Sequence, residues 1–547
     1  MHRIFILFVV SAIIASAEEG VLSSEPTTTL APFIISDRST DLVGLATTGS
    51  QGAVGASQLE ERPLLRRGEM LEAIPGVVIT QHSGDGKANQ YFLRGFNLDH
   101  GTDFSISVDG MPVNLRTHAH GQGYADINFI IPEMVQDIAY EKGPYFAEVG
   151  DFSAAGAVQF HLYDDSPNNL LSVTFGDDQY VRVLALDTMH EANAETTLAF
   201  ELGYNNGPWE LPEDARHFSG IVRQHWGDLD QSFDLTGMLY HANWRSTDQV
   251  PERAVRSGEI DRYGNIDPAD GGDTDRESLS FNYTVDHGDS KLQADAYAIY
   301  YRLNLYSDFT YFLDDPIHGD QFNQRDRRTV LGGSADYSWS SDLAGKKSKS
   351  KVGLGLRQDI IPEVALFHTE DRMYLSTVSD SHVKEGSAGL FAENETRWSD
   401  WLRSSGGVRF DLYHFEVAND IAANSGSKIA GIVSPKAGLV FGPWDKTEYY
   451  INTGFGFHSN DARGVMLHSD PQSGEGVDSA SPLVRSKGVE LGARTSAIDG
   501  LVSSVSLWAL DLNSELVFSG DSGGTEASGS TRRYGVELAN FYRINSW

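Results

Sequence analysis

His118 and His120 stand two residues apart in the run Thr117-His118-Ala119-His120-Gly121-Gln122-Gly123-Tyr124. In an extended segment, side chains two apart project from the same face, and two imidazoles so placed can hold one transition-metal ion. His100 lies upstream beside Asp99 and Asp103, and Asp126 follows, so His100 or Asp126 is the expected third contributor. Imidazole and carboxylate together suit zinc, copper or nickel. The same residues read equally as hydrogen-bonding groups for another ligand or as structural polar groups, and an H-x-H pair without cysteine leaves all three readings open. Gly121 and Gly123 permit close approach of a ligand to the backbone.

The remaining chemistry is sparse. Asp267, Asp270, Asp273 and Asp275 form the densest acidic cluster, with oxygens that calcium could use, but their spacing does not match the twelve-residue calcium loop. The segment reads as a solvated extracellular loop. G-x-S-x-G, H-E-x-x-H and cysteine are all missing from the chain, so an enzyme is not expected.

The elements that must position the histidines follow from periodicity. Leu198, Phe200, Leu202 and Tyr204 alternate with Thr197, Ala199, Glu201 and Gly203; Leu279, Phe281, Tyr283 and Val285 alternate with Ser280, Asn282, Thr284 and Asp286. Tyr534, Val536 and Leu538 do the same with Arg533, Gly535 and Glu537. Each is a strand with one apolar and one polar face. In a sandwich the apolar face meets a second sheet; in a transmembrane barrel it meets lipid and the polar face lines the lumen. Short polar turns alternating with long connections at 245–275, 305–324 and 460–482 favour the barrel, with short periplasmic turns and long extracellular loops. Trp209, Trp244, Tyr300, Tyr301, Trp444 and Trp508, near strand ends, suit an interfacial girdle.

Composition agrees. A basic start at His2-Arg3, an apolar run from Ile4 to Ile14 and Ala15-Ser16-Ala17 make an export signal over residues 1–17, cleaved before Glu18. No later stretch approaches the ~20 apolar residues of a membrane helix, so any spanning part must be a closed barrel. A net charge of -35 argues against nucleic acid as a partner, and the absence of cysteine excludes a disulfide scaffold.

Four motifs recur in fixed order in the glycine-rich stretch before these strands. They are Met70-Leu71-Glu72-Ala73-Ile74-Pro75-Gly76-Val77, then Leu93-Arg94-Gly95-Phe96, then Val108-Asp109-Gly110-Met111-Pro112-Val113-Asn114, then the run from Ile138 to Gly150 containing Glu141-Lys142-Gly143-Pro144. Their order and spacing resemble the plug domain of TonB-dependent outer-membrane receptors. The resemblance implies a mainly β protein, with an N-terminal mixed α/β plug domain (64–164) inside an antiparallel transmembrane β-barrel (165–547). Strand candidates after the plug number about sixteen, against about 22 in plugged transporters. Stepping back by twos from Trp547 meets Asn545 and Arg543 in place of a terminal apolar strand, so the barrel is expected to be incomplete.

In such receptors basic plug residues face barrel carboxylates. Arg94 is the matching position; the second is Lys142, a point charge where the family usually has an arginine fork, and Glu490 and Glu537 are the expected partners. Residues 18–63 correspond to a flexible periplasmic segment. Within it Asp41, Leu42, Val43, Gly44, Leu45 and Ala46 are the candidate TonB box, an extended stretch that could add as a strand to a partner, or else the first strand of the plug. The implied function is energy-coupled import of a scarce ligand, a ferric siderophore or other metal chelate. The implied partners are the TonB complex of the inner membrane, that small-molecule ligand and outer-membrane lipid, with no resident cofactor beyond a transition metal at the histidines. The alternative is a passive or adhesive outer-membrane barrel whose plug is a structural stopper.

Overall fold

A computed structural model of the chain describes residues 41–81, 86–515, 517–526 and 529–545. The expected export signal at 1–17 and residues 18–40 lie outside these. Residues 52–162 hold a five-stranded sheet in the order Gly52–Gly55, Val135–Lys142, Gly156–Leu162, Phe104–Val108, Met111–Pro112. Phe104–Val108 runs parallel to Gly156–Leu162 and the other pairings are antiparallel. A three-stranded sheet, Val78–Thr80, Gln90–Leu93 and Phe96–Asn97, and a 3-10 helix, Arg67–Ala73, complete the plug. The β-branched and aromatic run at each strand faces a shared core of Leu71, Ile74, Tyr91, Phe104, Ile106, Ile138 and Phe160, all buried.

The plug begins earlier than residue 64. Gly52 pairs with Tyr140 and Gly55 with Asp137, so residues expected to be flexible supply an edge strand. Gly52 leaves room for the Tyr140 phenol, which an added Cβ would displace.

Sixteen antiparallel strands follow, from Leu170–Phe175 to Thr531–Tyr542, each paired with its neighbour in the barrel order. A small hairpin, Val517–Ser519 with Gly524–Glu526, interrupts the chain before the last strand. Among the described residues the first and last strands do not pair, so the sheet is open along one seam. Polar side chains face inward and apolar ones outward: Thr197 and Glu201 are 0% exposed, whereas Leu198 and Phe200 are 39% and 41% exposed. A sandwich would bury the apolar face, so the exposed one marks a lipid-facing barrel wall. Turns of two to five residues at one end alternate at the other with long connections at 246–270, 308–321, 460–482 and 513–530 and shorter ones at 176–180, 206–214 and 420–425. At 371–372 the long side has a short turn, but there the flanking strands, Lys346–Glu370 and Met373–Ser399, are 25 and 27 residues long. A span needs only about 9–11 residues, so these strands project beyond the bilayer.

Tyr300 and Trp444 face outward, whereas Trp244, Tyr301 and Trp508, expected in the girdle, are buried against the plug. Strand register decides this: Trp508 lies opposite Glu490 on the lumen face.

Candidate functional site

Arg94 and Gly95 both adopt positive φ, 53° and 73°, between the strands Gln90–Leu93 and Phe96–Asn97. Two such residues make the tight hairpin turn whose twist matches its strands, which is why an Arg-Gly pair sits there. The turn pushes the guanidinium out of the plug. Arg94 donates from Nε to Glu537 Oε1 at 3.0 Å and from Nη2 to Glu490 Oε2 at 3.0 Å, and its guanidinium lies over the Trp508 ring. Lys142 Nζ donates to Glu537 Oε2 at 3.3 Å and also to the Pro75 carbonyl. Burial pulls the Lys142 ammonium below its ordinary pKa, with Glu537 opposing. Glu490 is completed by Gly49 N (3.1 Å) and Ser50 Oγ (2.6 Å). All four candidate residues of the charge cluster therefore meet in one network between plug and wall.

The histidines sit on the loop 115–124, closed by a bridge between Leu115 and Tyr124. They do not share a target as their spacing suggested. His120 Nε2 lies 3.1 Å from His100 Nε2, while His120 Nδ1 faces Gln324 Oε1 at 2.8 Å. His118 instead stacks on Tyr124 at 4.0 Å, with Nε2 3.2 Å from the Tyr301 hydroxyl. The loop is not extended here: the His120 amide folds back onto His118 Nδ1 at 3.2 Å, and each ring finds its own polar partner, Tyr301 for His118 and Gln324 with His100 for His120. His100 Nδ1 is within 3.0 Å of the Ala88 carbonyl, which leaves Nε2 of that ring directed at His120. Asp126 is not part of the group; its carboxylate accepts from Asn128 N, and burial raises it to about 6. Burial, reinforced by the Arg328 charge, holds His118 well below its usual range, and burial lowers His100 against the pull of Asp99, so both shifts favour the neutral ring. Neutral imidazole is the form that ligates a metal.

Loops from the barrel cover this group. The hairpin at 517–526 bridges to Gly121 through Ser519, and Gly520 packs against the carbonyls of Ala119 and His120. Arg463 donates to the His118 carbonyl and lies over the Phe518 ring, and Asp461 accepts from His118 N.

A plug of this topology inside an up-and-down barrel is matched by two family models. The TonB-dependent receptor plug domain matches residues 45–157, and the TonB-dependent receptor-like β-barrel matches residues 222–547. The chain belongs to the TonB-dependent receptor family. Similar solved structures include the unliganded ferric citrate transporter FecA, 16% identical with a TM-score of 0.74, over 90% of this chain and 74% of that one. The copper transporter OprC is 17% identical with a TM-score of 0.71, covering 91% and 79%. The ferric yersiniabactin uptake receptor FyuA from Yersinia pestis is 14% identical with a TM-score of 0.72, covering 93% and 78%. At these identities the likeness is one of fold. TonB-dependent receptors are proteins of the outer membrane that bind ligands and interact with TonB; they are receptors and transporters, not enzymes.

In this receptor residues 41–46 form a turn and not the extended stretch expected. The Ala46 amide donates to the Leu42 carbonyl at 2.9 Å, and Gly44 has φ of 89°. Barrel side chains impose that shape: Glu448 takes the Gly44 amide, and Arg403 donates to the Ala46 carbonyl at 2.9 Å and pairs with Glu448. Leu42 and Ala46 pack on Val440 and Tyr450. The first plug strand lies downstream, at Gly52–Gly55.

Sequence reading missed several groups that fix the plug. Arg116 pairs with Asp151, which also accepts from Tyr413 and Ser459. Arg328 and Asp326, both wholly buried, pair on the barrel wall, and Asp326 also accepts the Ala119 amide. Arg116 and Asp151 lie on separate plug loops, and Asp326 and Arg328, two apart on the strand Phe322–Leu343, read in line as ordinary polar positions of a barrel strand. Gly454 and Gly488 are barrel positions where a Cβ would collide with Pro144 of the plug; the Gly-Pro of the plug motif was visible, its barrel counterparts were not.

Proposed function

We propose that this receptor imports a scarce metal chelate, a ferric siderophore or a related complex, across the outer membrane. The ligand binds beneath the extracellular loops at the plug apex. The TonB complex of the inner membrane then engages the N-terminal segment around residues 41–46 and pulls the plug into a new arrangement. One observation carries the reading: the plug is tied to the wall by Arg94, which bridges two carboxylates in a site almost free of solvent. Breaking a buried pair of that kind costs about 3–5 kcal/mol, so unaided opening is suppressed and outside work is needed. The His100 and His120 rings, facing each other at 3.1 Å under the loops, support a metal-bearing ligand, with the metal as cargo and not as resident cofactor. The neighbours described as carriers of ferric citrate, copper and ferric yersiniabactin agree with that class.

Deleting residues 41–46 in the full-length protein separates this from a passive or adhesive barrel. Accumulation of ligand inside cells should vanish while surface binding persists; a passive barrel would be indifferent to the deletion. For the metal itself, calorimetric titration with zinc and copper compares the parent with His118→Ala/His120→Ala and His100→Ala/His120→Ala. Equal heats in all three proteins would remove the histidines as metal contacts.

A further inference from the structure

The tautomers of His100 and His120 follow from what the far nitrogen of each ring touches. His100 Nδ1 lies 3.0 Å from the Ala88 carbonyl oxygen and 3.2 Å from that of Asn89. Both oxygens can only accept, so Nδ1 carries the proton. His120 Nδ1 lies 2.8 Å from one end of the Gln324 side-chain amide, whose orientation is set by its other end: Gln324 Nε2 donates to Asp521 Oδ1 at 2.8 Å. Gln324 Oε1 therefore accepts from His120, and Nδ1 is the donor on that ring too.

With the protons on Nδ1, both Nε2 atoms are acceptors, and they stand 3.1 Å apart. Two lone pairs that close repel unless a cation, a metal ion or a shared proton, lies between them. The ring centroids are 4.6 Å apart and the planes inclined at 54°, so the rings are not opposed head-on. Nitrogens bound to one tetrahedral zinc ion are about 3.3 Å from each other, so an ion enters with little movement of either ring. Metal-binding histidines are held in this same way, the far N–H given to a carbonyl or carboxylate oxygen. Asp99 Oδ1, 3.6 Å from His100 Nε2, is within reach as a third donor.

Space selects the kind of cargo. His100 is 2% exposed and His120 8%, and the hairpin at 517–526 lies across the loop that carries His120. Asp521, which orients Gln324, stands in the turn of that same hairpin. An ion with a water or two fits between the nitrogens, whereas an intact siderophore complex has to lift the hairpin and with it the group that orients His120. We propose that His100 and His120 receive the cargo as one bare divalent ion of the zinc and copper class, bound between their Nε2 atoms, with Gln324 and Asp521 as positioning residues for His120. An imidazole pair is a donor set that suits these ions. The inference narrows the import reading and rests on it: the receptor carries a metal, and the metal meets the plug without its chelator.

The test uses the purified full chain in detergent, stripped of metal and then offered zinc, copper(II) or ferric citrate. Metal analysis should find one zinc or copper per receptor, and electron paramagnetic resonance of the copper form should show coupling to two imidazole nitrogens. His100→Ala and His120→Ala should each leave coupling to one. Gln324→Leu keeps both rings and should weaken binding about 10–100-fold, the usual loss when the partner of a metal-bound histidine is removed. Gln324→Glu combined with Asp521→Asn exchanges the carboxylate and the amide, still accepts from His120 Nδ1, and should restore binding, which a merely structural role would not predict. Ferric citrate should not bind. The proposal is overturned if the stripped receptor takes up neither ion, since a shared proton would then join the rings, or if both alanine variants keep the parent's copper spectrum. It is also overturned if ferric citrate binds and the alanine variants lose it, a result that leaves the import reading standing with an intact chelate as cargo. Conversely, a receptor lacking residues 41–46 that binds zinc and still accumulates it in cells would end the import reading and leave the ion site in place.

Discussion

Arg94 and Glu490 are 396 positions apart in the chain and meet at 3.0 Å, each side chain at most 1% exposed. Glu537 completes the bridge from the neighbouring part of the wall, so a single guanidinium closes the plug against two strands. Removing it by Arg94→Ala leaves Glu490 buried without its cation, at a cost of about 3–5 kcal/mol. The plug should loosen, and cells carrying the variant should become sensitive to bulky antibiotics that the outer membrane normally excludes. Arg94→Lys should fall between, since an ammonium cannot span both carboxylates as the fork does. Unchanged antibiotic sensitivity for Arg94→Ala would mean the network does not hold the plug.

Plug docking also depends on shape. At Gly454 a Cβ would come within 2.1 Å of the Pro144 carbonyl oxygen, whereas at Gly237 one would meet nothing within 4 Å. Gly454→Val should therefore cost about 1–3 kcal/mol of overpacking and raise permeability with every charge intact. Gly237→Val, on the same barrel but away from the plug, is the control and should behave as the parent. Equal permeability in the two variants would place the close contact outside the docking surface.

Asp126 carries a pH signature. Burial raises its pKa to about 6 from 3.8, so the proton is held more tightly in the folded chain than in the unfolded one. Its contribution to stability is fully present below about pH 4 and is lost as pH rises through about 6. Asp126→Asn mimics the protonated group, so it should be more stable than the parent at pH 7.5, by roughly 1–3 kcal/mol, and equal to it near pH 4. Thermal midpoints of both proteins across that range check the sign; a variant less stable at pH 7.5 would refute it.

The hairpin over the histidines is held at one close approach. A Cβ at Gly520 would lie 2.3 Å from the carbonyl oxygens of both Ala119 and His120. Gly520→Val should lift residues 517–526 from the apex, and amide hydrogen exchange across 115–124 should accelerate, with the plug sheet itself unaffected. Exchange identical to the parent's would show that the hairpin does not cover the loop in solution.

Much of the architecture was legible along the chain because its causes are local. Period-two alternation at Leu198 to Tyr204 and at Leu279 to Val285 marked strands, the number of such segments matched the sixteen observed, and unequal connections marked the two ends of the barrel. Leu93-Arg94-Gly95-Phe96 was legible only as a motif, and the turn with both Arg94 and Gly95 at positive φ came from the fold. The partners of Arg94 were reached through a family pattern, since nothing local joins positions 94 and 490. Only the folded chain decided how His100, His118 and His120 group. Their spacing suggested one chelating pair, but the loop folds back at His120 and turns that ring to His100. Burial was equally invisible: Asp270 reads as solvated among polar neighbours, and becomes buried because three segments distant in sequence close over it. Charge, periodicity and turn chemistry act within a few residues and can be read in line, whereas desolvation and side-chain convergence are set by whatever the tertiary fold brings alongside.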